Sequence, residues 1–383
     1  MKYFFIFGNH AELSFAELTT VLERKNCAFE ILHQKNNFII IETTTPLADN
    51  FLTKLGGSIK YGEIIKTIDQ SRLVPTLFHL LSNHPSTGKF RFGLNSYNKD
   101  QNLTKIGLTL KNELKDNGLS CRFVTSREPN LSSVVIHKNK LDKEDGFDVN
   151  LFYLDGQIQI GRTLAVQNFT FYSNIDYNRP AFDNKAGMLP PKVAQIMLNL
   201  LTKESDRVRD PFCGSGTILM MAAFAGFKQI NGSDIATQAV NRSTKNLNWL
   251  RERYALEFDS EINLHDAQEL TTHIKKNSLP AIVTEPHLGT ALSGNETAAD
   301  LNKNTSTLTT LYQKIFRQFT EILSPDGEII IVLPEIQIPR FQYQFKAEQL
   351  IPKSLQIIDS WIYSRPGQKV IRHIYKIKKR QLK

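Results

Sequence analysis

Between an apolar strand-like run and an apolar helical run the chain reads Asp-Pro-Phe-Cys-Gly-Ser-Gly-Thr, from Asp210 to Thr217. Two glycines in that setting call for a sharp strand-to-helix turn, because glycine adopts positive φ at no steric cost and lets the backbone approach a ligand closely. In open α/β sheets such turns stand at the carboxyl ends of strands, where ligands bind. The residues after Gly216 sort the ligands. A Walker phosphate loop needs a lysine after its last glycine, and Thr217 and Ile218 follow here. A pyrophosphate-binding dinucleotide turn asks for a Gly or Ala three residues after the second glycine, and Leu219 disfavours that reading. A merely structural turn remains open.

The flanking texture supports an α/β sheet. A candidate helix LPPKVAQIMLNLL, with prolines in its first turn, precedes the strand RVRDPF. After the turn come helix TILMMAAFAG, strand QINGSD, helix ATQAVNRSTKNLNWLRERY, strands EINLHD and AIVTEP, a helix in LTTLYQKIFRQFTEIL, and strand GEIIIVLP. This alternation predicts a mostly parallel sheet with helices on both faces. The last two strands, SLQIIDSWIYS and KVIRHIYKIKK, are joined by the turn RPGQ and should pair antiparallel. That closing hairpin favours a methyltransferase-type sheet over a plain dinucleotide fold.

Eighteen residues beyond Gly216, the next strand ends at Asp234, whose carboxylate can accept two hydrogen bonds from a ribose diol. The strand after it ends at Asp266, placed to accept from an exocyclic adenine amine; either aspartate could instead be a helix cap. The set suits an adenosine-containing ligand without a pyrophosphate, a description that S-adenosylmethionine meets. The neighbours Phe212, Thr217, Ile235 and Ala267 belong to the same candidate pocket. Cys213 lies inside the turn and no cysteine follows it, which argues against methylation at pyrimidine carbon 5 through a cysteine nucleophile. The nine histidines show no metal-ligand spacing, and no metal is expected.

The 383 residues suffice for two or three domains. No apolar run approaches the ~20 residues of a membrane span, and the three scattered cysteines suggest a reducing, cytoplasmic setting. The net charge of +9 is unevenly spread. Residues 84–140 carry ten basic and four acidic side chains, and residues 365–383 carry eight basic and none acidic. In the first block, Lys89, Arg91, Arg122, Arg127 and Lys138 interleave with Phe90, Phe92, Tyr97 and Phe123. Cations of this kind can hold a phosphate backbone while rings stack on bases, or the rings can simply point into a core. Residues 1–80 read as a small α+β unit of ferredoxin-like texture and 81–165 as a second, with a helix near 102–117 and strands in CRFVT, SSVVIH and VNLFYLDGQIQIGRTL. A polar, aromatic stretch at 166–182 reads as a linker before a domain at 183–383.

Taken in order, GNHAELSFAEL, LGGSIKYGEI, KFRFGLNSY, TSREPNLSSVVIHKN, NRPAFDNKAGMLPPKVAQIMLNL, DPFCGSGTIL and YSRPGQKVIRHIYKI make the chain resemble a known group. These are RNA methyltransferases that join an N-terminal THUMP region to a class I methyltransferase domain, notably tRNA guanosine N2-methyltransferases acting near position 10. The resemblance implies S-adenosylmethionine as cofactor and a tRNA partner whose acceptor end is bound by residues 81–165. It places cofactor contacts on Asp210, Gly214, Gly216, Asp234 and Asp266, with Met188, Leu189 and the prolines after them flanking the methionine part.

The same family carries a target-base motif of an acid or amide, two prolines and an aromatic. The ungapped match here is Glu285, Pro286, His287 and Leu288. An exocyclic amine conjugated to a purine is a poor nucleophile, so its protons must be held by acceptors and the flipped base must be stacked. Glu285 and the Pro286 carbonyl are the expected acceptors; Leu288 stands at the aromatic place and cannot stack as a ring does, and His287 can offer a ring if the loop shifts by one residue. Two other readings stay open: a tRNA-binding protein that keeps the fold without catalysis, and an amino-methyltransferase acting on adenine. The polar run TALSGNETAADLNKNTSTLTT shows no apolar periodicity and reads as a loop beside the reaction centre. Monomer and homodimer are both compatible with the sequence.

Overall fold

The structure is a computed structural model describing residues 1–85, 88–182, 187–339 and 341–380. Residues 183–186 of the NRPAFDNKAGMLPP stretch, including the expected domain start at 183, and the tail residues 381–383 lie outside the described residues. The chain divides into two compact units, Met1–Ala11 with Lys25–Thr170, and Glu12–Arg24 with Phe171–Lys383.

The elements run β1 (Lys2–Phe7), α1 (Ala11–Arg24), β2 (Phe29–Lys35), β3 (Phe38–Thr43), β4 (Ser58–Asp69), α2 (Leu73–Ser82), β5 (Phe90–Tyr97), α3 (Thr104–Asp116), β6 (Cys121–Val124), α4 (Ser133–Lys138), β7 (Gly146–Leu154), β8 (Gln157–Val166) and α5 (Phe169–Tyr177). In the first unit one sheet runs β2-β3-β1-β4-β8-β7-β5-β6. The expected units at 1–80 and 81–165 therefore share a sheet, joined where β4 pairs antiparallel with β8 from Lys60↔Val166 to Asp69↔Gln157. The β7–β8 turn is set by Asp155 and Gly156, both at positive φ, as a two-residue hairpin with right-handed strand twist requires.

One sequence expectation in this unit is corrected, and one reading left open is decided. The SSVVIH run is the helix α4 and not a strand: Ser132 accepts a hydrogen bond from the Val135 N–H and caps it, which outweighs the strand preference of Val-Val-Ile. Of the rings between the basic residues, Phe90, Phe92 and Tyr97 are buried, and Phe92 stacks on Phe123 at 5.2 Å. They build the core and leave only the cations outside. The sheet's own strands carry a buried polar network. Lys60 Nζ donates to Asp148 Oδ2 at 2.9 Å and Asn150 Oδ1 at 3.1 Å, while Thr163 and Asn95 donate to the Asp148 carboxylate.

In the second unit the elements continue α6 (Pro191–Asn199), β9 (Arg207–Asp210), α7 (Thr217–Ala225), β10 (Gln229–Asp234), α8 (Thr237–Tyr254), β11 (Asp259–Leu264), β12 (Leu279–Thr284), α9 (Ala298–Ile322), β13 (Leu323–Ile338), β14 (Phe341–Gln344), α10 (Ala347–Leu350), β15 (Leu355–Tyr363) and β16 (Val370–Lys379). The sheet order is β11-β10-β9-β12-β13-β16-β15, with β14 paired to β13. Strands β9 to β13 are parallel, and β16 pairs antiparallel with both β13 and β15, as the closing hairpin predicts. The strand order reverses between β9 and its neighbours β10 and β12, and at the carboxyl ends of strands so ordered open α/β sheets bind their ligands.

This unit also takes in segments that the sequence reading assigned elsewhere. The stretch read as a linker contains α5, whose Phe171, Tyr172 and Ile175 are buried in the same core as α6 and α7. Helix α1 belongs here and not to an N-terminal unit: Leu13 joins that core, and Arg24 donates to the Leu201 carbonyl at 2.7 Å and to Asn199 Oδ1 at 3.1 Å. Helix α9 begins at Ala298, ten residues before the expected start at Leu308, inside the run read as a loop. Its start is a reciprocal capping box between Thr297 and Asp300, and only Leu301, Thr305 and Leu308 of its first turns are buried.

The Lys60–Asp148 pair gives a test of the first unit. Asp148→Ala leaves the Lys60 ammonium buried without a counter-charge, a loss of roughly 3–5 kcal/mol. Thermal melting followed by circular dichroism should fall by on the order of 10 °C. An unchanged midpoint would remove the network from the stability of this unit.

Candidate cofactor and target-base site

The glycine turn is built from backbone that only these residues allow. Gly214 and Gly216 sit at φ +53 and +81, and a Cβ on Gly216 would lie 2.6 Å from Ser243 Oγ and 3.2 Å from the Ser243 Cα. The Gly216 N–H donates to the Cys213 carbonyl at 2.7 Å, and the Cys213 N–H to the Ser233 carbonyl at 2.9 Å. Cys213 is buried, and burial, with Asp210 and Asp234 nearby, pushes its thiol well above the usual range. A thiol so placed is no nucleophile.

Asp234 stands beside this turn at the end of β10. Its Oδ2 accepts from the Gly214 N–H at 3.0 Å and its Oδ1 from the Ala236 N–H at 3.0 Å. Each oxygen keeps a lone pair for a further donor, as a diol recognition site needs. Next to it Ile235 is 71% exposed and Leu264, at the end of β11, 52% exposed. Large apolar side chains left open beside a carboxylate suit a flat, apolar-faced ring. Asp266 caps the turn that follows β11: its Oδ1 accepts from the Gln268 N–H at 2.8 Å, and the Gln268 side-chain amide reaches both oxygens. Ala267 is buried behind it, and Phe212 packs partly buried against the core on the other side of the sheet centre.

Asp210 stands at the end of β9. It is 2% exposed, accepts from Thr284 Oγ1 at 2.6 Å and the Phe212 N–H at 3.1 Å, and so ties the end of β9 to the end of β12. Burial pushes its carboxyl up to about 7; the two hydrogen bonds oppose this, and the negative Asp234 and Glu285 add to it. Thr217 is also occupied, since its Oγ1 accepts from Arg179 Nη1 at 2.8 Å. The other Arg179 nitrogen, Nη2, contacts the Met188 sulfur, which fixes Met188 and Leu189 against the turn. The Asn246 amide then clamps the segment, donating to the carbonyls of Ala181 and Ser215 at 2.8 Å each.

The expected target-base residues leave β12 at the same end of the sheet. Pro286 is buried and His287 exposed, and desolvation at the loop edge holds the His287 ring below its usual pKa, neutral at pH 7. Tyr312 of α9 donates to the His287 carbonyl at 2.7 Å. Gly289, at φ +102, packs where a Cβ would meet the Asn304 side chain at 2.7 Å. Beyond it, Lys369 Nζ donates to the Leu292 and Ser293 carbonyls, so the segment is pinned. Glu285 is paired with Arg372, a residue that the sequence reading did not single out. Arg372, Tyr312, Thr284, Arg179 and Asn246 all act through tertiary contacts; Arg372 stood inside YSRPGQKVIRHIYKI, Arg179 inside NRPAFDNKAGMLPP and Thr284 beside Glu285, but nothing local marked the partner of any of them.

The basic residues lie in the first unit. Arg91 and Arg122 are register partners on β5 and the edge strand β6, so the two residues stand side by side on the sheet. Lys89, Arg122, Arg127 and Lys138 are exposed, and Arg91 is half-buried. Among the described residues, no three His, Cys, Asp or Glu side chains come together as metal ligands, and no helix is long and apolar enough to cross a membrane.

Residues 179–340 match the model of the UPF0020 family, described as an RMKL-like methyltransferase domain. The tRNA (guanine(10)-N2)-dimethyltransferase of Methanothermobacter thermautotrophicus is 33% identical over 163 residues, 41% of this chain and 41% of that protein. The protein of the same name from Methanocaldococcus jannaschii is 29% identical over 237 residues, 57% of either chain. The chain thus spans between about two fifths and three fifths of the length of these relatives. Among solved structures, TrmN from Thermus thermophilus covers 99% of this chain at TM-score 0.60 and 15% identity. A possible methylase from Clostridium difficile 630 covers it at 0.55 and 12%, and SMU.472, complexed with SAH, at 0.53 and 13%. The architecture is therefore that of a class I methyltransferase sheet preceded by an α+β unit.

Two outcomes test the pocket. Asp234→Ala removes an acceptor held by two N–H groups and should weaken S-adenosylhomocysteine binding at least about tenfold in calorimetry, a loss of ~1.5 kcal/mol or more. Unchanged affinity would reject its ribose role. A ligand of net positive charge at Asp210 favours the ionised carboxyl. Binding S-adenosylmethionine at about pH 6 to 7 should therefore release protons, and the release should vanish above about pH 9. Binding heats compared in buffers of different ionisation enthalpy read this directly, and proton uptake would contradict it. The sign carries over to the free protein. A folded-state carboxyl raised to about 7 is held more tightly than in the unfolded chain, so its contribution makes stability fall as pH rises from about 4 to about 7.

Proposed function

We propose that this protein is an S-adenosylmethionine-dependent tRNA methyltransferase that modifies the N2 amine of a guanosine. The observation that carries the reading is the convergence, at one end of one sheet, of the Asp234-bound glycine turn and the Glu285–Pro286–His287 segment. The relatives named for guanine(10)-N2 dimethylation of tRNA supply the substrate class. The pocket residues fit the cofactor: a close-approach backbone at Gly214 and Gly216, a carboxylate for a diol, open Ile235 and Leu264 for a ring, and the buried Asp210 for positive charge.

When bound, the cofactor supplies an electrophilic methyl group on a sulfonium sulfur. The chain's own residues prepare the acceptor. Glu285 and the Pro286 carbonyl take hydrogen bonds from the two amine protons, which localises the nitrogen lone pair for in-line attack. After transfer, the nitrogen sheds one proton, and the carboxylate of Glu285 stands nearest to take it. The neutral His287 ring offers a stacking face to a flipped base, a role that Leu288 in the following position does not fill. Lys89, Arg91, Arg122, Arg127 and Lys138 are assigned to the RNA backbone. The class of RNA-binding module formed by residues 81–165, and a cytoplasmic place of action, belong to the same reading.

One observation favours a second reading, a tRNA-binding protein without catalysis: the acceptor Glu285 is already engaged by a cation. Purified protein incubated with labelled S-adenosylmethionine and unmodified tRNA, followed by nucleoside analysis, separates the cases. Labelled N2-methylguanosine supports the proposal. Labelled N6-methyladenosine would move the substrate to adenine, and tRNA binding without label would favour the second reading. Glu285→Ala should lower transfer at least about 100-fold with cofactor affinity unchanged, on the scale of a lost general base. An unaffected rate would remove Glu285 from the mechanism.

A further inference from the structure

Glu285 sits where a shorter acid or an amide is expected, and the structure gives the extra methylene a purpose. Arg372 Nε donates to Glu285 Oε1 at 2.6 Å, and Nη2 approaches Oε2 at 3.4 Å. The two side chains are 7% and 13% exposed, Arg372 first. Their strands are not neighbours. Strand β13 lies between β12 and β16, and Arg372 is in register with Pro334 of β13, so the pair closes over an intervening strand. An aspartate at position 285 would end about one carbon–carbon bond, ~1.5 Å, short of this partner.

A nearly buried carboxylate needs a counter-charge to stay ionised. Among the described residues, the charged or titratable groups facing Glu285 are Arg372 from β16, Asp210 from β9 and the Tyr312 hydroxyl from α9. Of these only Arg372 is cationic. The Tyr312 hydroxyl is directed to the His287 carbonyl, and Asp210 carries the same sign as Glu285 when ionised. A carboxylate has about four lone-pair positions, and the two taken by Arg372 leave room for an amine donor.

We propose that Arg372 is a positioning residue for methyl transfer: its guanidinium fixes the orientation of the Glu285 carboxylate and keeps it anionic when the target amine arrives. The role rests on the reading of Glu285 as the amine acceptor. Burial holds the Glu285 carboxyl above its ordinary value and Arg372 limits that rise, so loss of the guanidinium raises it further.

The test uses the full chain, the Arg372→Gln and Arg372→Lys variants, labelled S-adenosylmethionine and unmodified tRNA. It reads rate against pH, S-adenosylhomocysteine affinity and the melting midpoint. Arg372→Gln should lower kcat at least about tenfold at pH 7, with KM for tRNA and S-adenosylhomocysteine affinity within about twofold of the parent. Its acidic limb should move up by about one pH unit or more, so that raising the pH recovers part of the rate. Arg372→Lys keeps the charge but not the fork, and should leave the limb near that of the parent while kcat stays low. An unshifted limb in Arg372→Gln, or a rate loss matched by lost cofactor affinity and melting, would overturn the proposal. Carbon-13 titration of the Glu285 carboxyl in the parent and Arg372→Gln proteins reads the same coupling without turnover. An upward shift in the variant supports the role, and an unchanged titration rejects it. If the parent protein transfers no methyl group, the functional reading fails, and this titration still decides whether Arg372 holds the carboxylate.

Discussion

Asp210 places a carboxylate in the dry centre of the second unit and uses it to join two strands. Its acceptance of the Thr284 hydroxyl and the Phe212 N–H locks the end of β9 to the end of β12 at the point where the sheet order reverses. The glycine turn starts two residues beyond this lock, and the target-base segment starts one residue beyond Thr284. Both halves of the site are therefore referenced to one side chain. The electrostatic consequence is a cluster of three carboxyls, Asp210, Asp234 and Glu285, with the Arg372 guanidinium paired to Glu285 at its edge. Such a cluster is poised for a positively charged ligand, because the charges of Asp234 and Glu285 make Asp210 harder to ionise until compensating charge arrives.

The second constraint is the way the acceptor segment is held. It leaves β12 through a buried proline, is tethered at the His287 carbonyl by Tyr312, and is pinned further along by Lys369. The tethers come from α9 and from β16 or the turn before it, elements far apart in sequence. Small shifts in either would move Glu285 and His287, and a misplacement of about 1 Å is enough to cost a positioned group its effect on a reaction. The closing hairpin β15–β16 is thus part of the site as well as of the sheet. It brings Arg372 across β13 to Glu285.

The sheet itself was largely legible. The strand and helix runs from LPPKVAQIMLNLL to KVIRHIYKIKK fall on α6 to β13 and on β15 and β16, because their apolar periodicity is strong and their turns carry Gly, Pro or Asp; the short β14 and α10 between them had no such signal. The failures have local causes. SSVVIH became a helix because a serine cap decided against β-branched propensity. The start of α9 was missed because its first three turns bury only Leu301, Thr305 and Leu308, although the Thr297 and Asp300 pair announced it. The cation–aromatic interleaving at Lys89 to Arg127 could be read two ways, and the core of the first unit took the rings.

What the sequence determined by itself was the turn and the groups beside it: two glycines without a lysine after them, an aspartate at the end of the next strand, and an acidic residue before a proline at the end of β12. These are local, since glycine's freedom and a strand-end carboxylate act within a few residues. Only the tertiary structure decided that helix α1 joins the second unit, that Asp210 is buried to the point of holding its proton near neutrality, and that Glu285 meets Arg372. Those depend on strand order and burial, which bring residues 87 positions apart to 2.6 Å, and no periodicity along a chain records which distant side chain a buried charge will find.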